Sequence, residues 1–155
     1  MKNFYKKGIT ILEIIIVIAV VGILARVVYP QLVKIKQTQV LKNASEDIIS
    51  ASNKAKSETL ASLDSYNYGI HFQVDKIIIF RGTSYVSNDA NNEIIDIISP
   101  ASISTISLSG GGTDFYFNRQ SGTPNKNGSV VVSIAGDSNL TKTITISATG
   151  SLSVN

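Results

Sequence analysis

The chain has 155 residues, enough for one domain or for a domain plus an anchor, and only 16% of them are charged, against roughly 25% in ordinary soluble domains. It has no cysteine and a single histidine, His71, which excludes a disulfide framework, a thiolate nucleophile, cysteine-ligated metals and multi-histidine metal sites; no metal and no cofactor is expected. The net charge of +3 comes from Lys2, Lys6 and Lys7, because from Ile9 onward eleven basic residues face eleven acidic ones, and this removes any argument for nucleic-acid binding from overall charge.

Residues 1–8 are polar and basic, and residues 9–25 are apolar apart from Glu13. Counted to Tyr29, the apolar run is twenty-one residues, about 31 Å as a helix, which just spans a hydrocarbon core of about 30 Å, with Arg26 able to snorkel at the far side. Lysines ahead of the run predict that residues 1–8 stay cytoplasmic and that the bulk of the chain is exported. An ordinary cleaved signal peptide fits less well, since Gly22-Ile23-Leu24-Ala25-Arg26 offers no small-residue cleavage site. Glu13 demands an explanation of its own. A carboxylate inside a membrane segment costs on the order of 2.5 kcal/mol or more and implies a partner.

The run Lys6-Lys7-Gly8-Ile9-Thr10-Ile11-Leu12-Glu13-Ile14, continued by Ile15 to Leu24 and Pro30, resembles the amino-terminal signature of type IV pilins and type II secretion pseudopilins. The resemblance implies cleavage between Gly8 and Ile9 by a prepilin peptidase, N-methylation of Ile9, and an assembly role for Glu13. Gly22 and Pro30 fall where the family has its helix-loosening glycine and proline. One departure is that Ile9 stands where the first mature residue is usually phenylalanine. Partners implied by the resemblance are the peptidase, an assembly ATPase, a platform membrane protein and other pilins, with the precursor in the bacterial inner membrane. Elementary physics agrees with this role. Cleavage would create an amine at Ile9 one helical turn from Glu13, and in a helical stack the Glu13 of one subunit could meet the amine of its neighbour. Such a pair at about 4 Å is worth on the order of 4 kcal/mol at intermediate dielectric, enough to offset burial of the carboxylate.

Pro30 should kink or loosen the helix locally. Beyond it, Leu41, Ala44, Ile48, Ala51 and Ala55 keep helical spacing and form one apolar stripe, and the helix is expected to end near Leu63. After Tyr66 the texture becomes that of short strands divided by Gly, Asn, Asp and Ser. Strands are expected at 68–73, 76–81, 94–98, 103–108, 113–118, 129–134, 142–147 and 151–154, with a hairpin at Val74-Asp75 and with Phe115 and Phe117 in the core. The expected fold is α+β, a pilin-like lollipop: residues 1–8 a leader, 9–29 a transmembrane and assembly helix, 30–64 its amphipathic continuation, and 65–155 an antiparallel β-rich head. Tyr68-Gly69-Ile70-His71-Phe72, the 117–128 loop, and Thr143-Ile144-Thr145-Ile146-Ser147 leading to Gly150 make the head resemble, more loosely, the GspH/FimT-like minor pseudopilins.

Other chemistry is poorly supported. Gly110-Gly111-Gly112 lacks the following helix of a phosphate loop. Residues 88–93 concentrate oxygen ligands but lack EF-hand spacing, so a solvated loop is favoured over a calcium site. Tyr66, Tyr68 and Tyr85 could form a recognition surface, although strand tyrosines usually pack with the hydroxyl at the rim. Beyond Ile35 there are nine basic and ten acidic residues, which argues against DNA binding. The sequence therefore reads as a non-enzymatic structural subunit, a minor one, of a type IV pilus or type II secretion pseudopilus. The alternative is a tip pilin that binds DNA or a surface.

Overall fold

The computed structural model describes residues 8–155, in two compact units, residues 8–36 and Gln37–Asn155. One helix, α1 (Ile11–Leu60), begins in the first unit and continues in sequence into the second. At 50 residues it is about 75 Å long. It begins at Ile11 and not at Ile9, because the Thr10 hydroxyl accepts the Glu13 N–H at 3.3 Å and Thr10 stands as the N-cap. It continues through Pro30, where the proline lacks the N–H that would extend the ladder. It stops at Leu60, short of the expected end near Leu63. The Ser62 N–H turns back onto the Thr59 carbonyl, and Ser62 is left-handed at φ 52°; a short 3₁₀ turn, Leu63–Ser65, follows.

Eight strands make up the rest of the second unit: β1 (Tyr68–Phe72), β2 (Lys76–Arg81), β3 (Glu93–Asp96), β4 (Ala101–Leu108), β5 (Asp114–Tyr116), β6 (Gly128–Ile134), β7 (Asp137–Ile146) and β8 (Leu152–Val154). They form two four-stranded antiparallel sheets, ordered β3-β2-β1-β5 and β4-β6-β7-β8. All eight expected strands exist, and the Val74-Asp75 connection is a hairpin closed by the Gln73 N–H on the Lys76 carbonyl. Strand β3 starts and ends earlier than expected; the Ile97 N–H still reaches the Asp75 carbonyl in register with the β2–β3 ladder, but Asp75 belongs to the hairpin connection and the strand ends at Asp96. Strand β7 begins five residues before its expected start at Lys142. Asp137, Ser138 and Asn139 read as a turn by composition. In the structure Asp137 pairs with Ile134 of β6 across the Ala135-Gly136 turn, the register shifts before pairing resumes at Thr141 with Ser133, and the Asn139 N–H bonds Asp137 Oδ1.

The core lies where the helix stripe meets the sheets. Leu41, Ala44, Ile48, Ala51 and Ala55 are buried as expected, in one core with Ile70, Phe72, Ile77 and Phe115 of one sheet, Phe117 just beyond β5, and Val130, Val132, Ile144 and Ile146 of the other sheet. Three polar residues share the buried helix face. Ser45, Ser52 and Thr59 each return a hydroxyl hydrogen bond to the carbonyl four residues earlier, so none is orphaned.

Candidate functional site

The amino-terminal end of α1 concentrates the exposed apolar surface. Ile11, Leu12, Ile15, Ile18 and Ile23 are each more than half exposed, and the helix is long and apolar enough to cross a membrane. A contiguous strip of this kind needs covering, by lipid or by protein. The signature residues are spread along it. Gly8 and Ile9 precede the helix and are exposed, and Glu13, in the first turn, is exposed as well. Within its own unit, the Cβ that a larger residue would carry at Gly22 meets nothing within 4 Å among the described residues. Pro30 leaves the Arg26 carbonyl without its helical donor. Lys2, Lys6 and Lys7 of the expected leader lie outside the described residues.

The second unit holds no assembled catalytic set among the described residues. His71 stacks on Tyr85, with ring centroids 3.8 Å apart and planes 6° from parallel, and its ring nitrogens lie 3.4 Å from Gln73 Nε2 and 3.5 Å from Thr113 Oγ1. Burial lowers its proton affinity below the ordinary histidine value, against the pull of Asp114. Tyr85 also meets Phe80 edge-on, so it serves to seal the outer face of the first sheet. That role had no periodic signal in the sequence, since Tyr85 belongs to no strand. Tyr66 and Tyr68 belong elsewhere, with the Arg81 guanidinium 5.2 and 6.0 Å from their ring centres. The three tyrosines therefore divide between two places.

The oxygen-rich 88–93 loop is built around its own hydrogen bonds. Asp89 Oδ1 accepts both the backbone and side-chain N–H of Asn91, which holds its carboxyl below the usual carboxylate range. Glu93 is taken by Lys54 at 2.7 Å. No group of three metal-ligating side chains occurs among the described residues. The triple glycine is a turn, with all three residues at positive φ, latched by Lys126 Nζ on the Gly111 carbonyl at 3.0 Å.

The segment after the helix carries strain that the sequence did not announce. Ser62, Asp64 and Ser65 are all left-handed, at φ 52°, 48° and 62°. Two arginines from distant strands and loops hold it: Arg81 bonds Asp64 at 2.8 Å, and Arg119 Nη1 donates to the Ser65 carbonyl at 2.8 Å. The Asn67 side-chain amide donates to the Phe117 carbonyl at 2.8 Å.

No family model matches the sequence, and no curated protein does. Among solved structures, the chain is similar to the type IV minor pilin FimU of Pseudomonas aeruginosa strain PAO1, with a TM-score of 0.55 at 14% identity over 74% of this chain and 92% of that one. At that identity the likeness is one of fold. A long amino-terminal helix followed by antiparallel sheets is the pilin fold, as the sequence led one to expect.

Proposed function

We propose that the chain is a prepilin whose mature form is a structural, minor subunit of a type IV pilus or a type II secretion pseudopilus. The observation that carries this reading is the combination of the Gly8-to-Glu13 signature with an exposed apolar helix joined in sequence to a pilin-like head. A prepilin peptidase in the inner membrane removes residues 1–8, and Ile9 becomes the methylated first residue. Packing of the apolar helices holds the fibre, and Glu13 pairs with the Ile9 amine of an adjacent subunit. The lack of a side chain at Gly22 suits close approach by another helix. An assembly ATPase and a platform membrane protein move the subunit from bilayer to fibre. The protein is not itself an enzyme.

Intact-mass measurement on the native protein tests the processing. A chain that starts at Ile9 and carries one methyl group is expected; a chain that still starts at Met1 overturns the assignment. Glu13→Ala should be processed and membrane-bound yet about a hundredfold or more poorer in sheared fibres, since breaking a buried ion pair costs about 3–5 kcal/mol. Wild-type incorporation of that variant would refute the pairing.

A further inference from the structure

Strand β8 is an edge of the β4-β6-β7-β8 sheet. Strand β8 pairs only with β7, and the phase of that ladder is fixed by two bonds between Thr143 and Asn155 and by the Ser147 N–H on the Ser151 carbonyl. Antiparallel ladders alternate, so the N–H and C=O groups of Leu152 and Val154 point away from β7. Among the described residues no hydrogen bond reaches those four groups. Apart from being short, β8 carries none of the usual guards of an edge, neither a charge nor a proline.

The side chains of Leu152 and Val154 pack against the core beside Ile146 and Ile144. Past them lies a trough of about 490 Å³, floored by Leu41, Ile49 and Val154 and rimmed by Lys42, Glu46 and Lys142. A strand laid along β8 would bond to the four free groups and drop alternate side chains into this trough. Lys42 is 3.7 Å from Glu46, whereas Lys142 has no ion pair among the described residues. A three-residue edge falls far below the roughly 1,200 Å² of a stable free complex, so its occupant must be one that other contacts already hold nearby.

We propose that the free edge of β8 receives an extended segment of an adjacent subunit in the fibre, apolar at alternate positions and bearing a carboxylate opposite Lys142, as a fifth strand. This rests on the fibre-subunit reading. The test compares amide hydrogen exchange at Leu152 and Val154 in the full chain, in detergent micelles and in sheared fibres. Slowing of about tenfold or more in the fibres is expected. Equal exchange in a chain that is present in the fibres overturns the fifth strand alone, and absence of the chain from fibres overturns both readings. Val154→Pro removes one outward N–H at an edge where proline is tolerated, and its share of the fibre should fall about tenfold. Should that variant misfold, Lys142→Glu leaves the backbone intact and should reduce incorporation several-fold through charge reversal. Unchanged incorporation of either folded variant counts against the proposal.

Discussion

Replacing Thr59 by valine isolates one buried hydrogen bond that joins the end of α1 to the start of β1. Thr59 is fully buried; its hydroxyl donates to the Ala55 carbonyl at 2.7 Å and accepts the Tyr68 N–H at 2.9 Å. Valine keeps the shape and removes the acceptor, leaving the Tyr68 N–H in the core without a partner. An unpaired buried donor costs about 1–3 kcal/mol. For a unit of this size that corresponds to a fall in Tm of roughly 4–12 °C. Serine keeps the hydroxyl and loses one methyl, at a cost of about 0.8 kcal/mol or somewhat more. The ordering wild type, then serine, then valine is thus the expected result. Thermal unfolding of the full chain in detergent, followed by near-ultraviolet circular dichroism, reads it directly. A valine variant as stable as wild type would show that the Tyr68 amide finds another acceptor and would refute the reasoning.

Gly69→Ala places a methyl 2.4 Å from the Phe80 ring and 2.5 Å from the Phe115 carbonyl, which as backbone cannot swing aside; a loss of about 3 kcal/mol is expected in urea unfolding. His71 should give the head a mild acid sensitivity. Because its folded-state proton affinity lies below the unfolded value near 6.5, the unfolded chain takes the proton first, and stability drops as pH falls through about 6.5 toward the folded pKa. Unfolding midpoints measured from pH 8 to 6 should decline for the wild type and stay flatter for His71→Gln; parallel curves would rule out this source.

The parts of the fold that were legible in advance are those governed by periodicity. The stripe from Leu41 to Ala55 and the alternation of Phe115 and Phe117 translate directly into burial, because a side chain's face follows from its position in a helix or strand. The continuous apolar run of β2 was equally plain, and the structure explains it: Ile77 and Ile79 face the core while Ile78 and Phe80 are buried on the opposite face, where Tyr85 meets Phe80 edge-on. Features that depend on distant partners were not legible. The left-handed backbone at Ser62, Asp64 and Ser65 is held by Arg81 and Arg119, whose distance in sequence gives no local cue. The early start of β7 depends on Asp137 pairing with Ile134 of β6 across an irregularity in register, which no window of β7 itself encodes. At the proposed assembly end, the residue types Gly8, Ile9 and Glu13 could be read from the sequence, whereas the unfilled space beside Gly22 required coordinates.

Ala44, Ser45, Ala51, Ser52, Ala55 and Thr59 give the buried side of α1 mostly short side chains. Where such a helix meets a sheet, the two backbones sit close, and their separation is set by atoms with almost no rotamer freedom. That makes the contact intolerant of bulk: a leucine at Ala51 would act as a wedge, forcing the sheets outward to admit it. Redesign of the head for solubility or display therefore has latitude in the outward loops and almost none along this seam.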